Sequence, residues 1–433
     1  MNKLLKKISR DKDYREILFK SSHFLIFRIL GFLIAYGFSF YVIKQYGESV
    51  YGFVALSLTV FSILVVYGKM GFDIHLTKKF SAYESNAVGF SFYYISIGIA
   101  FVFSCALIAL IYFFAEYIAT EIFNKPQFTN YLKWTVLSVP FWVIIMINSG
   151  VLRGVRQNGL YSFFIFFSRF FVTLVLLLLI PLLIVSEDNL IMESHFYAVA
   201  LIFLVSCVII FRLRKEEVKM PNISTIRTYV SETIPLMSST YFYVLLLWSD
   251  KILLGIFETE VNIGIYDIVT KIAIVITFSY EAINSIVAPK ISDSFHRKDY
   301  NLLQKNIRFS VRTTFYSGLL IFLGILIFHR PVLGFLGEVY FTGIFALMVL
   351  CLGKIAISLF GPVSDILQMT GHQKAYSRIM FGTLILNLVL NYFLIQAYGI
   401  NGAAIATSFA FLCMFFISHI YIKKALKINS FIV

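Results

Sequence analysis

Ionisable side chains inside long apolar segments are the groups in this sequence best able to do chemistry. A charge at the centre of a membrane costs roughly 2.5–3.5 kcal/mol on insertion scales, so each one calls for a partner or a water-filled cavity. Five basic residues lie in such segments: Arg28, Arg169, Lys251, Lys271 and Lys354. Three acidic residues accompany them: Asp250, Asp267 and Glu281. The basic surplus predicts a cavity that attracts an anion, and the acids are candidates for binding a coupling cation, H⁺ or Na⁺.

Helical periodicity places several of these groups on shared faces. At about 100° per residue, Asp267, Lys271 and Glu281 fall on one polar stripe, and Lys354 shares a face with Asp365. Simpler interpretations stay open beside these. Asp267 and Lys271 are four residues apart and can neutralise each other. Lys251 can extend to the membrane interface, and Arg28 can act as an interfacial anchor.

The elements that carry these residues are apolar helices. The chain has 433 residues, of which 59% are hydrophobic and 14% charged, whereas soluble domains carry about 25% charged residues. This composition excludes a soluble globular protein and predicts an all-α integral membrane protein. Apolar runs long enough to cross a bilayer predict twelve spans: 22–43, 50–68, 88–114, 131–151, 160–185, 194–211, 233–257, 263–287, 310–328, 340–362, 378–396 and 401–421.

The net charge of +14 mostly reports orientation. Basic loop residues fall almost entirely on one side of the predicted membrane, and only Lys44, Lys125 and Arg330 lie on the other. Basic loops mark the cytoplasmic side, which predicts cytoplasmic termini. Because the charges are spread over many separate segments, the pattern excludes nucleic-acid binding. The basic start, with Leu4 and Ile8 among its lysines, predicts an interfacial helix on anionic lipid.

Several kinds of active site are not indicated. The four cysteines are dispersed in apolar runs, which argues against disulfides and metal sites. The seven histidines lack metal-ligand spacing, and no phosphate-binding loop of the GxxxxGK[ST] type is present. We therefore expect no cofactor and no enzymatic activity; a transporter with this sequence would be driven by an ion or substrate gradient.

A weak internal repeat divides the chain into halves. In the first half, Tyr46–Phe53 is followed by a span and then Lys79; in the second half, Glu258–Tyr266 is followed by a span and then Lys290. Residues 153–157 are similar to residues 370–374. Six spans in each half predict two bundles with the same orientation, related by a pseudo-two-fold axis along the membrane normal. The predicted organisation is an N-terminal bundle over 1–215, a cytoplasmic linker over 216–232 and a C-terminal bundle over 233–433.

One family is resembled by Arg28 in the first predicted span and by four segments: YGESVYGF at 46–53, LWSDKILLG within 246–255, IGIYDIVTKI at 263–272 and QMTGHQK at 368–374. So does the stretch from Asn387 through Asn391 to Thr407. The family is the polysaccharide-exporter branch of the multidrug/oligosaccharidyl-lipid/polysaccharide superfamily. The resemblance implies a Wzx-type flippase for O-antigen (lipopolysaccharide) or capsule repeat units, with a fold like that of multidrug and toxin extrusion (MATE) transporters.

Such a protein carries an undecaprenyl-diphosphate-linked oligosaccharide to the periplasmic leaflet of the bacterial inner membrane by alternating access. The resemblance also suggests a polysaccharide polymerase and a chain-length regulator as partners, in addition to membrane lipid. On this interpretation, the five basic residues bind the diphosphate. Two alternatives remain. The first is a multidrug and toxin extrusion antiporter, which is disfavoured because the first span contains Arg28 and no acidic residue. The second is a membrane glycan polymerase or ligase, which is disfavoured because the external loops are short.

Overall fold

The computed structural model describes residues 12–82, 86–179, 189–214 and 222–432. These residues form helices joined by short turns, with no β-strand among them. The predicted interfacial segment before residue 12 and residues 216–221 of the predicted linker lie outside the described residues. The main helices are α1 (Lys12–Tyr46), α2 (Glu48–Lys69), α3 (Phe72–Ala82), α4 (Asn86–Phe113), α5 (Phe128–Gly154), α6 (Asn158–Leu179), α7 (Leu190–Leu213), α8 (Ile223–Phe257), α9 (Glu260–Ile274), α10 (Thr277–His296), α11 (Tyr300–Leu336), α12 (Ile344–Ser358), α13 (Val363–Met369) and α14 (Gln373–Leu426).

The helical, membrane-spanning fold class is confirmed. Within the described residues, ten helices are long and apolar enough to cross a membrane. Their outer faces carry exposed large side chains such as Phe113, Leu320 and Phe393, as expected for surfaces in contact with lipid. The protein is therefore a multi-pass membrane protein, and the orientation of its termini stays a prediction.

The difference between ten helices and twelve predicted spans has two local causes. The predicted span 263–287 is divided between α9 and α10, because the helix is interrupted between Ile274 and Thr277. The predicted spans 378–396 and 401–421 both fall within α14, which contains a non-helical residue, Gly399 (φ 56°, ψ −134°). The count of twelve crossings stays a prediction, as does the pseudo-two-fold axis.

Gly399 and Gly402 allow the sharp bend inside α14. The positive φ of Gly399 lies in the region that residues with a side chain avoid. A Cβ on Gly402 would lie 1.9 Å from the carbonyl oxygen of Leu394. The absence of a side chain at both positions lets the second part of α14 pack closely against the end of the first.

The described chain divides into two compact units. The first comprises Met1–Gln45 and Val60–Thr240, and the second comprises Tyr46–Thr59 and Tyr241–Val433. In the first unit, α5 is the central helix and packs against α3, α4 and α7. In the second unit, α14 packs against α12 and α13, while α9 packs against α12. The predicted division into two bundles and a linker is not tested by these units and stays a prediction.

Candidate functional site

A buried cluster of charges lies in the second unit, where α8 and α9 meet. Lys251 Nζ on α8 lies 2.5 Å from Asp267 Oδ1 on α9. Lys271 Nζ, one turn further along α9, lies 2.7 Å from Asp267 Oδ2. One carboxylate therefore pairs with two ammonium groups, so the cluster carries one net positive charge. We call Lys251, Asp267 and Lys271 the ion triad.

Tyr51 on α2 makes two hydrogen bonds to the ion triad. Its hydroxyl donates to Asp267 Oδ2 at 2.5 Å and accepts from Lys271 Nζ at 2.9 Å. Tyr51 reaches this position because α2 approaches α9 closely at Gly52, where a Cβ would lie 1.8 Å from the carbonyl oxygen of Glu260. Ser49 also donates to the Glu260 side chain at 2.9 Å. The Tyr-Gly dipeptide thus brings a phenol to the carboxylate.

Burial separates the two lysines of the ion triad. The side chain of Lys251 is 3% exposed and lies over the ring of Trp248 at 4.6 Å. The side chain of Lys271 is 22% exposed. The alternative in which Lys251 extends to the membrane interface is therefore wrong, because a buried carboxylate holds its ammonium group. Lys271 is the more exposed of the two lysines of the ion triad.

A second cluster surrounds Asp250, the residue before Lys251. Asp250 Oδ2 accepts from the Tyr266 hydroxyl at 2.7 Å and from the Thr407 hydroxyl at 3.3 Å. Its Oδ1 accepts from the backbone N–H of Lys251 at 2.8 Å. Asp250 is 3% exposed, and its charge also acts on Lys354. This carboxylate is held mainly by neutral hydroxyl groups, whereas Asp267 is held by two cations.

Two buried asparagines, Asn387 and Asn391, lie on α14, the helix that also carries Thr407. Asn387 accepts from Ser249 at 2.7 Å and donates to Thr407 at 3.4 Å. Asn391, one turn later on the same face, is fully buried, and neither its amide oxygen nor its nitrogen has a hydrogen-bond partner among the described residues. A buried amide without partners is costly. Asp250, Asn387, Asn391 and Thr407, which we call the oxygen cluster, provide the ligand chemistry of a hard cation.

The other candidate residues are distributed more widely. In the first unit, Arg28 lies over the ring of Phe166 at 5.5 Å, and Arg169 lies against three aromatic rings. In the second unit, Lys354 lies over the ring of Phe411 at 5.2 Å, and Glu281 lies half-buried on α10. The structure therefore brings Lys251, Lys271, Asp250 and Asp267 together, with Lys354 nearby. It places Arg28 and Arg169 in the other unit.

Two of the predicted polar stripes are not continuous helical faces. The interruption between Ile274 and Thr277 separates Glu281 from Asp267 and Lys271, so the stripe predicted on one helix is wrong beyond Lys271. Likewise α12 ends at Ser358, and Gly361 has a positive φ of 67°, so Asp365 lies on the separate helix α13. The faces were derived from an unbroken helix, and these breaks change the direction of every later side chain.

The half-buried carboxyl group of Asp365 makes the stability of the protein depend on pH. Burial raises the pKa of Asp365 from 3.8 to about 6. The folded protein therefore keeps this proton between pH 4 and 6, whereas the unfolded chain releases it, so stability falls as the pH rises through this range. We expect Asp365→Asn to be more stable than the unmodified protein by about 1–2 kcal/mol at pH 7.5, allowing for partial exposure. Melting curves in detergent at pH 7.5 and pH 4 measure this difference, which should vanish at pH 4. An equal difference at both values would contradict the assigned cause.

Sequence reasoning missed several members of the two clusters as functional residues. Tyr51 and Tyr266 lie in segments that carry the family resemblance, and so do Asn387, Asn391 and Thr407. The acceptors of the two tyrosine hydroxyls lie on other helices, because Tyr51 on α2 donates to Asp267 on α9 and Tyr266 on α9 donates to Asp250 on α8. The spacing of Asn387 and Asn391 by four residues on an apolar helix is the signal that could have indicated them.

Solved structures with similar folds are membrane transporters. An inward-facing multidrug resistance MATE family transporter of the MOP superfamily matches with a TM-score of 0.73 and 12% identity, over 92% of this chain and 94% of that one. The lipid II flippase MurJ in an inward closed conformation matches with a TM-score of 0.74 and 15% identity, over 94% and 87%. At these identities the similarity establishes the fold. The chain therefore has the fold shared by MATE transporters and MurJ.

The family model described as "Polysaccharide biosynthesis protein" matches residues 17–295, well over half of the chain. The chain thus belongs to the polysaccharide biosynthesis protein family. A Haloferax volcanii protein described as a probable low-salt glycan biosynthesis flippase, Agl15, is 26% identical over 200 residues, 46% of this chain. A Methanocaldococcus jannaschii protein, described as uncharacterized membrane protein MJ1375, is 31% identical over 166 residues, 38% of this chain. The matches span about four-tenths of each relative's length, 41% and 38%.

Proposed function

We propose that this protein is a flippase that moves an undecaprenyl-diphosphate-linked oligosaccharide from the cytoplasmic to the outer leaflet of a bacterial inner membrane. The oligosaccharide is an O-antigen or capsule repeat unit, and transport proceeds by alternating access. Family membership and a flippase relative support a lipid-linked glycan as the substrate class. A polysaccharide polymerase and a chain-length regulator are the proposed partners that use the delivered substrate.

The observation that carries this proposal is the positively charged ion triad inside the second unit. Lys271 is partly exposed, while Asp267 is shared between two lysines. A phosphate group that approaches Lys271 meets an ammonium group whose carboxylate partner is also held by Lys251. Phosphate oxygens are strong hydrogen-bond acceptors for ammonium groups, so they can replace part of the Lys271–Asp267 contact. This exchange gives the protein a means to bind the diphosphate reversibly.

We propose that the oxygen cluster binds the coupling cation. It contains a single carboxylate, Asp250, and otherwise neutral oxygen donors, including the amide of Asn391, which has no hydrogen-bond partner among the described residues. That donor set suits Na⁺, whereas H⁺ would bind to Asp250 alone. Because Asp250 and Lys251 are adjacent on α8, neutralising Asp250 alters the electrostatic environment of the ion triad. Cation binding and phosphate binding are thereby linked through two successive residues.

Replacement of each cation by glutamine tests the flippase proposal in cells. We expect Lys251→Gln and Lys271→Gln to reduce surface polysaccharide at least tenfold in a strain that lacks its own flippase, at equal membrane abundance. Arg28→Gln, Arg169→Gln and Lys354→Gln complete the set, and Arg297→Gln, at an exposed surface pair, is the matched control. Normal surface glycan in all five variants would overturn the role of these cations.

The substrate distinguishes a multidrug antiporter from a flippase. MATE transporters have the same fold, but a shared fold does not imply a shared substrate. A deletion of the gene should leave drug sensitivity unchanged and should remove surface glycan. Increased drug sensitivity with normal surface glycan would favour the antiporter.

A further inference from the structure

We infer that Arg169 and His195 form a second anion-binding site, in the first unit, which takes a phosphate group. This site deepens the proposed function and rests on it for the identity of the ligand, because the lipid-linked substrate carries two phosphates. The site is separate from the ion triad, since all of its residues belong to the first unit. Its physical basis is independent of the flippase assignment.

Arg169 is a guanidinium group with no anionic partner in the part of the chain that the structure describes. Its Cζ lies 4.6 Å from the ring centre of Phe170, 5.3 Å from that of Phe61 and 5.4 Å from that of Trp142. Across residues 12–82, 86–179, 189–214 and 222–432, no carboxylate lies within ion-pair distance of it. Aromatic faces stabilise a cation, but they accept none of the five hydrogen bonds that a guanidinium can donate. Arg169 therefore keeps its directional donors for another group.

His195 on α7 lies beside the same aromatic ring. Its imidazole packs edge-to-face against Phe61 at 5.0 Å, so Phe61 contacts both His195 and Arg169. His195 is 2% exposed, and neither ring nitrogen has a hydrogen-bond partner among the described residues. A buried imidazole has one donor and one acceptor even when neutral, and both are costly to leave unsatisfied. A ligand at Arg169 that also accepts from His195 would satisfy it.

The backbone before Arg169 is specialised. Residues Phe163–Ser168 form a π-helical stretch, and Arg169 is the residue that follows it. Such stretches are uncommon, and they frequently occur at functional sites, because the extra residue in the turn redirects the side chains. Arg169, directly after this stretch, lies over the rings of Phe61 and Trp142. The rigid aromatic surroundings orient the planar guanidinium, whose paired N–H groups match the oxygens of a phosphate.

Trp142 reports directly on this site because its ring lies against the Arg169 guanidinium. The experiment uses the full-length protein with Trp134→Phe and Trp248→Phe, so that Trp142 is the remaining tryptophan. Sodium diphosphate and undecaprenyl diphosphate in nanodiscs are titrated separately, with sodium chloride at equal ionic strength as the reference. The free and lipid-linked arms distinguish the two sources of the phosphate group.

We expect a saturable change in Trp142 fluorescence with at least one phosphate compound. Arg169→Gln should weaken the apparent affinity at least tenfold, and His195→Phe, which keeps a ring of similar size, should weaken it about tenfold. Arg153→Gln is the matched control, because Arg153 also lies over an aromatic ring, that of Tyr161 at 5.4 Å, but is exposed. Arg169→Lys, which keeps the charge and loses the paired donors, carries the test if Arg169→Gln does not fold.

The absence of a phosphate response in the parent protein, or equal affinities in the parent and the Arg169 and His195 variants, would overturn this site. Neither result depends on translocation. Phosphate binding that requires Arg169 and His195 in a protein that flips no lipid would leave the site standing and overturn the proposed function. If the protein flips lipid but Trp142 shows no response to phosphate, the proposed function stands and this site is overturned.

Discussion

Replacing Asp267 by asparagine is expected to cause the largest loss of stability of any single change in the ion triad. The substitution leaves two ammonium groups close together, one of them buried, without their shared counter-charge. Removing one partner of a buried ion pair costs about 3–5 kcal/mol. We expect the melting temperature in detergent to fall by roughly 5 °C. Fluorescence-detected size-exclusion chromatography after heating measures the change.

Two controls separate this explanation from a general effect of the substitution. Asp293→Asn removes an exposed carboxylate from a pair with Arg297, and such surface pairs contribute little. It should leave the melting temperature nearly unchanged. The double variant Lys251→Met with Asp267→Leu removes the buried pair together, and it should recover most of the loss. If Asp267→Asn melts like the parent protein, Asp267 does not balance the two lysines.

Disrupting the oxygen cluster is expected to abolish cation-dependent stabilisation. A ligand that binds only the folded state at one hundred times its dissociation constant adds about 2.7 kcal/mol. We therefore expect Na⁺, at a constant ionic strength maintained with N-methylglucamine, to raise the melting temperature of the parent protein by several degrees. Asp250→Asn and Asn391→Leu should each remove this increase, because one takes away the charge and the other an oxygen donor.

Thr407→Val and Thr383→Val form a matched pair for the same measurement. Both threonines are buried on α14, but Thr407 donates to Asp250, whereas Thr383 donates to the carbonyl of Ile379 in its own helix. Only the Thr407 variant should lose the response to Na⁺. Stabilisation by acid in the parent protein, with no response to Na⁺, would assign H⁺ as the cation at Asp250. A Na⁺ response that survives Asp250→Asn would contradict the proposed site.

The fold was largely predictable because bilayer crossing requires long apolar helices, which leave a strong signal in composition and run length. The helix break between Ile274 and Thr277 could not be predicted, because residues 274–277 contain neither glycine nor proline. Helix interruptions of this kind come from tertiary packing, which local propensity does not encode. The bend at Gly399 falls in the turn predicted between the last two spans, where glycine is the expected residue.

The candidate site was predictable where its contacts are local. The pairing of Asp267 with Lys271 follows from their spacing of four residues on one helix, and it is present. The contact of Lys251 with the same carboxylate joins two helices, and that of Tyr51 joins residues 216 positions apart. No periodicity in one sequence contains such distant pairings. For the same reason, the closeness of Arg169 and His195 to one phenylalanine ring could be found only in the structure.

Reconstituted translocation is the most direct test of the central claim. The purified protein is placed in liposomes that contain a fluorescent undecaprenyl-diphosphate-linked oligosaccharide, and the glycan exposed on the outer leaflet is followed with an impermeant oxidant. The proposed function predicts that the protein makes the protected fraction accessible, and that Lys251→Gln with Lys271→Gln slows this at least tenfold while Arg297→Gln does not. A protected fraction that stays as inaccessible as in protein-free liposomes would contradict it.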